Sequence, residues 1–293
     1  MGGPETNLRG WMSMLRRTAI DHEPMSRLAA WSARFAWFAV AVAVLSVIIL
    51  RSGLLEIVPA LTTFAAALIF AGLAILLAFA SFVTIWRQGL AGLGRAILGL
   101  FLGLLLLAYP GYLAYRGMTL PAINDVTTDP GNPPSFDVLA RLRPRGSTAY
   151  PGGNTAEQQR AAYPDITPLQ VNLPPRAAFD IVLGLVTKRK WLIVDQRPPA
   201  AGRRDGVIEA VARTLIMGFR DDVVIRVSPL GSGSRVDLRS ASRYGLHDFG
   251  ANAARVRSLL EDIDDAASNA PETPSAPEKK AQPAPKRPAA PKR

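Results

Sequence analysis

Residues 35–115 contain three apolar runs, 35–50, 57–86 and 96–115, and no charged residue interrupts any of them. At about 1.5 Å of rise per residue, roughly 20 residues cross the hydrocarbon core of a bilayer. The second run has 30 residues and the third 20. The first has 16, and Gly53, Leu54 and Leu55 extend it if the Arg51 side chain reaches out to the interface. Backbone in lipid has no water to bond, so such runs must be helical. The expected organisation is a flank at 1–34, a three-helix membrane anchor at 35–116, a domain at 117–265 and a tail at 266–293.

Lys and Arg set the expected orientation. The flank carries Arg9, Arg16, Arg17, Arg27 and Arg34, and the second loop carries Arg87 and Arg95. On the other side stand Arg51 and Arg116 alone. Seven against two puts the N-terminus in the cytoplasm by the positive-inside rule. Three spans then put residues 117–293 on the extracytoplasmic side. The expected location is the inner (plasma) membrane, multi-pass, with the domain periplasmic in a two-membrane bacterium. Trp31, Trp37, Trp86, Tyr109, Tyr112 and Tyr115 stand where aromatic belts belong. Residues 1–30 lack the form of a signal peptide. Trp11, Met12, Met14 and Leu15 suit either a short amphipathic helix on the membrane surface or a disordered basic start.

Inside the third run, Pro110 and Gly111 are expected to kink or end the helix. Gly99 and Gly103 form a small-xxx-small pair through which a second copy of the chain is a candidate partner. The runs hold no ionisable group of the kind ion and proton pathways use, which favours an anchor over a transporter or pump.

The net charge of +11 is unevenly spread. Residues 117–265 hold nineteen Lys/Arg and seventeen Asp/Glu, so the domain is nearly neutral. The excess lies in the membrane flanks and in the tail, which has six Lys/Arg against two acids. This is no signature of nucleic-acid binding, and no nucleic acid is expected as partner. The tail, with seven Pro and eight Ala, is expected to be disordered and to offer its cations to anionic lipid or a cell-wall polymer. The absence of Cys excludes disulfides, thiolate chemistry and cysteine zinc sites. The two His, His22 and His247, lie on either side of the membrane block, which excludes a multi-histidine metal site within one chain. No cofactor and no metal are expected.

In the domain, residues 123–136 are dense in turn formers. Asp129-Pro130-Gly131 suits a type II turn, and Asp125, Thr127, Asp129 and Asn132 resemble hard-cation ligands without EF-hand spacing. An ordered loop folding back on the domain is the favoured reading. Residues 137–172 read as irregular, wrapping the surface through Tyr150, Tyr163, Ile166 and Leu169. Pro175 then opens a helix with Ala178, Phe179, Val182, Leu185 and Val186 on one face. Strands are expected at 191–195, 207–217, 222–228 and 235–242, and a last helix from Asp248 buries Phe249, Ala253, Val256, Leu260 and Ile263. The expected fold is three transmembrane α-helices followed by an α+β domain (helix, four-strand antiparallel meander, helix) and a disordered tail.

These stretches resemble the domain of unknown function 1499 family. The resemblance is carried by 123–136, by 162–169 with its Tyr-Pro-Asp-Ile, by 218–226, by 234–243 and by 248–257, in that order, and spans about 120–264. It implies a shared fold and supplies no mechanism.

Alternation along the last strand puts Arg235, Asp237, Arg239, Ala241 and Arg243 on one face. The preceding strand offers Asp222, Val224 and Arg226, with Glu209 and Arg213 beside them. One reading is a solvated sheet face with cross-strand ion pairs, each worth about 0.2–1 kcal/mol. The sharper reading is an anion-binding site on Arg226, Arg239 and Arg243, supported by Asp237, Asp222, Asp125 and Asp129. Ser240 and Ser242 are candidate nucleophiles with only His247 as base and no Gly-x-Ser-x-Gly turn around them. Two function classes remain: a non-catalytic extracytoplasmic domain binding an envelope component, and a membrane-anchored extracytoplasmic hydrolase.

Overall fold

The computed structural model describes residues 24–53, 56–143, 149–200 and 205–270. The amphipathic start around Trp11 and the tail beyond residue 270 lie outside the described residues. The chain forms two compact units. One comprises the residues up to Ala122 together with Arg213–Arg220, and the other comprises Ile123–Ala212 and the residues from Asp221 on.

The first unit contains α1 (Arg27–Ser52), α2 (Ile57–Gln88) and α3 (Leu93–Thr119). All three are long and apolar enough to cross a membrane. Their packing inverts the logic of a water-soluble bundle. Ala29, Ser32, Ala36, Ala39 and Ala43 of α1 and Ala67, Ala71, Ala74 and Ala78 of α2 are buried, while Leu, Ile and Phe point outward. Lipid chains solvate large apolar groups as well as protein does, so close backbone approach through small residues drives the association. The Ser32 hydroxyl donates to Ala74 O at 2.8 Å. A Cβ on Gly99 would stand 2.0 Å from Ser32 Oγ, and one on Gly103 would stand 2.7 Å from Ile75 Cγ1. The glycine pair expected to admit a second copy is thus taken up between helices of this chain. Pro110 does not end α3, which continues to Thr119.

The second unit is built on one six-stranded sheet, ordered β1-β6-β5-β4-β3 with β2 also paired to β6. The strands are β1 (Asp125–Thr127), β2 (Leu169–Val171), β3 (Leu192–Arg197), β4 (Gly206–Arg213), β5 (Arg220–Leu230) and β6 (Gly233–Ser242). Four strands were expected. The additional β1 and β2 are three residues each, too short to show a periodic pattern, and both lie antiparallel along β6. The irregular stretch 137–172 also contains a 3-10 turn, Leu139–Leu142, and a helix, α4 (Gly153–Ala162). The polar Gly-Asn-Thr-Ala-Glu-Gln-Gln-Arg of α4 carries no apolar stripe, so its helical period is silent in the sequence. β4 stops at Arg213, and the apolar residues after it form the β4–β5 loop rather than strand.

α5 (Pro175–Lys188) and α6 (Ala251–Ser268) cover one sheet face. Phe179, Val182 and Val186 of α5, Val256, Leu259 and Ile263 of α6, and Val223, Ile225, Val227, Val236 and Leu238 of the sheet are all buried. Each such side chain contributes roughly 1.5–3 kcal/mol of burial. Asp248, expected to cap the last helix, accepts from Gly250 N at 2.8 Å and Asn252 N at 2.7 Å from just outside it. Burial pushes the Asp248 carboxyl above its ordinary range, although these amide bonds pull the other way.

The opposite sheet face is not solvated. Phe136 and Leu139 close over Val211, Val224 and Ala241, with Ala140, Val194 and Val207 packed around them. Tyr163 and Ile166 are buried as the wrapping segment requires. The Asp129 turn differs from type II: Gly131 is outside the left-handed region. The Asp129 carboxylate itself accepts from Gly131 N and Asn132 N, both at 3.0 Å, which makes it an Asx turn.

Candidate functional site

The charged ladder lies on this covered face. The β5–β6 register pairs Asp222 with Ala241, Val224 with Arg239 and Arg226 with Asp237, so the alternation read from the sequence does group these residues on one side. Their environment is what differs. Glu209, Asp222, Asp237 and Arg239 are buried, and so is Asp125. A charge in such a place persists only with a partner of opposite sign and filled hydrogen-bond positions.

Each carboxylate has them. Asp125 receives Arg239 in a two-pronged pair, Nε to Oδ1 at 3.0 Å and Nη2 to Oδ2 at 2.8 Å. Arg239 also donates to Pro134 O at 3.2 Å, and its guanidinium stands over the rings of Phe136 and Tyr150. Burial, with the Asp125 charge adding to it, pushes the Tyr150 phenol up to about 12. Asp222 is held from two sides: Arg143 Nε reaches Oδ2 at 2.7 Å, and Arg243 Nε and Nη2 reach Oδ1 at 2.9 and 2.7 Å. Asp237 takes Arg226 Nη2 at 3.1 Å and Arg235 Nη2 at 2.9 Å. Arg235 also pairs with Asp129. Desolvation raises the Asp129 pKa, but its bonds from Asn132, Arg235 and Gly131 outweigh that and hold it below the usual carboxylate value.

Glu209 keeps a cross-strand ion pair with Arg197 of β3 at 3.5 Å and has a second role besides. Its two oxygens accept from the backbone amides of Asp137, Val138 and Leu139 at 2.9, 3.1 and 2.8 Å. The carboxylate from β4 thereby caps the 3-10 turn that closes over the sheet. Gln159 does the same for the outer edge of β1. Its Nε2 donates to Thr127 O at 2.6 Å and its Oε1 accepts from Thr127 N at 3.1 Å, as a further strand would.

The three arginines expected to meet an anion are therefore each engaged by an internal carboxylate: Arg226 by Asp237, Arg239 by Asp125 and Arg243 by Asp222. Each of the three is held by a different carboxylate. Arg143 and Gln159 escaped the sequence reading because a loop residue and a polar helix carry no register.

On the helical side, Ser240 Oγ donates to Asn252 Oδ1 at 2.7 Å and accepts from Arg255 Nη1 at 2.8 Å. Ser242 Oγ accepts from Asn252 Nδ2 at 3.0 Å. His247 Nδ1 accepts from Phe249 N at 3.0 Å, and its ring stacks on Phe249. The two hydroxyls are bound to an asparagine and an arginine of α6, not to the imidazole. Among the described residues, no group of three or more His, Asp or Glu is placed to hold a metal ion.

No curated protein matches the chain. Residues 125–263, which run from the first residue of β1 well into α6, match the family model described as "Protein of unknown function (DUF1499)". The α+β domain of this chain is similar to that family over these residues.

Proposed function

We propose that this is a multi-pass inner-membrane protein that presents its domain on the extracytoplasmic side as a non-catalytic module binding an envelope component. The observation that carries the reading is the pairing of three membrane-length helices with a seven-to-two Lys/Arg asymmetry across them. The pairing of Ser26 N with Ala91 O and of Ala91 N with Pro24 O supports it, because it ties the N-terminal flank to the second loop on one side of the bundle. The non-catalytic part of the proposal is supported by the ladder, where acids and bases are spent on each other and on backbone amides. Phosphatase and fluorescent-protein fusions at residue 120 test the orientation: phosphatase activity without fluorescence is expected, and the reverse overturns it.

The basic tail is the proposed contact to anionic lipid or a wall polymer. Removing residues 266–293 is expected to leave the melting temperature unchanged and to weaken salt-sensitive binding to anionic vesicles; unchanged binding removes the tail from the proposal. Of the three arginines, Arg226 and Arg243 keep 17% and 11% of their side-chain surface exposed against 2% for Arg239, so an external anion reaches them before Arg239. A rise in melting temperature specific to phosphate or a dicarboxylate at constant ionic strength, lost in Arg243→Ala, is the expected sign of binding there; no rise leaves the ladder a structural feature.

A further inference from the structure

Backbone bonds join the second loop to the start of α1. Ser26 N donates to Ala91 O at 2.8 Å and Ala91 N donates to Pro24 O at 3.2 Å, with Met25 and Ala91 forming a parallel bridge. Gly92 permits the close approach. Its φ is 127°, and a Cβ there would stand 3.2 Å from Ala29 Cβ and 3.4 Å from Met25 Sδ. The end of α2 and the starts of α3 and α1 therefore meet at one end of the three-helix unit.

Four arginines gather at that end. Arg27 follows Ser26 directly, and Arg87 and Arg95 stand on either side of Ala91 in the chain. Arg34 lies further along α1, where Arg27, Trp31 and Arg34 share one helical face. All four arginines are exposed. The only acid among the described residues of this unit is Glu56, at the start of α2. Arg87 stands at the far end of that helix, about 46 Å away along its axis. Exposed charges separated by more than about 8 Å are largely screened at physiological salt, so Glu56 neutralises none of the four. The arginines of the ladder each have a carboxylate of their own; these have none among the described residues.

Two indoles accompany the charges. Trp31 is 48% exposed, with the Arg34 guanidinium 5.1 Å above its ring, and Trp86, beside Arg87, is 91% exposed. Forked guanidiniums suit phosphate oxygens, and Trp rings suit the headgroup level of a bilayer, with an apolar body and one polar edge. A free phosphate would engage the arginines and leave both indoles in water. A phospholipid engages both.

We propose that Arg27, Arg34, Arg87 and Arg95, with Trp31 and Trp86 beside them, form a binding surface for the headgroup of an anionic phospholipid. The proposal rests on the reading that α1, α2 and α3 span a bilayer. It does not depend on which side of the membrane this end faces.

Native mass spectrometry of the full chain, released from detergent micelles doped with equimolar phosphatidylglycerol and phosphatidylcholine, counts the lipids retained. The parent should keep phosphatidylglycerol in preference. Arg27→Gln/Arg95→Gln should lower that preference about fivefold per charge removed. Arg116→Gln, at the other end of α3, should leave it unchanged. The basic tail is present in every arm, so the difference between variants reports this surface alone. Arg34→Gln/Arg87→Gln reads the same surface where the first pair fails to fold. No preference in the parent, or an equal loss in Arg116→Gln, overturns the proposal. A rise in melting temperature with inorganic phosphate that Arg27→Gln/Arg95→Gln abolishes would assign the surface to a free anion and overturn the lipid. Extraction of the chain from vesicles by alkaline carbonate would instead remove the spanning reading on which the surface rests. A chain retained in the membrane without preference for phosphatidylglycerol rejects the surface alone.

Discussion

Removing the Arg239 guanidinium should be among the most damaging single changes in the domain. Arg239 keeps 2% of its side-chain surface and Asp125 keeps 6%. Arg239→Ala leaves the Asp125 carboxylate buried without its two-pronged partner, and breaking a buried pair in this way costs about 3–5 kcal/mol. The bond to Pro134 O and the stacking on Phe136 and Tyr150 are lost with it. Urea unfolding of the detergent-solubilised chain, followed by near-ultraviolet circular dichroism, reads the effect. With an m-value of about 2 kcal/mol/M, a loss of about 4 kcal/mol moves the midpoint by about 2 M. The double variant Asp125→Ala/Arg239→Met removes both charges and fills part of the space. It should lose less than the sum of the single changes, with a coupling of up to about 3 kcal/mol. Arg176→Ala serves as a control, because its pair with Asp180 is more than half exposed on both sides and is worth about 0.3–0.5 kcal/mol. A loss under about 1 kcal/mol for Arg239→Ala, or additive singles, would show that this pair behaves like a surface pair and would refute the argument from burial.

Four further outcomes are expected. Glu209→Ala strands three backbone amides of the 3-10 turn and should cost about 3 kcal/mol or more, while Glu209→Gln, which keeps one acceptor, should cost less; equal losses in the same urea assay would contradict the capping role. Asp248 is raised above 3.8, so between that value and its folded pKa the folded state holds the extra proton and its contribution to stability grows as pH falls; the deficit of Asp248→Asn relative to the parent should widen from neutral toward about pH 4, and a constant deficit would contradict the shift. Asp129 is lowered, so its contribution is present above 3.8 and fades as pH falls through its lower folded value. The fragment 120–265, nearly neutral and with apolar faces of its own, should unfold cooperatively without the anchor, and a non-cooperative melt would show that it does not fold alone.

Composition and periodicity alone specify the elements that bury a continuous surface. Uninterrupted apolar runs have one stable solution in lipid, so the three membrane-length helices were legible, although α1 begins at Arg27, before its apolar run, and α3 extends from Leu93 to Thr119. The amphipathic helices from Pro175 and toward Ile263 were legible for a related reason: each buries one stripe. Alternation sorted Asp222, Arg226, Asp237 and Arg239 correctly onto one side of the sheet. Whether that side faces water depends on contacts made far along the chain. A strand's pattern records which residues share a face and carries nothing about what lies over it, and a ladder of alternating acids and arginines reads the same whether solvated or sealed. What seals it is the segment from Phe136 to Arg143, held by Glu209 across 70 residues of chain and by Arg143 on Asp222. Those are long-range contacts between residues with no periodic relation, so no local signal encodes them. The same holds for Gly99 and Gly103: spacing marks a surface on which a helix packs closely, and the fold chose α1 and α2 of the same chain as the helices that pack there.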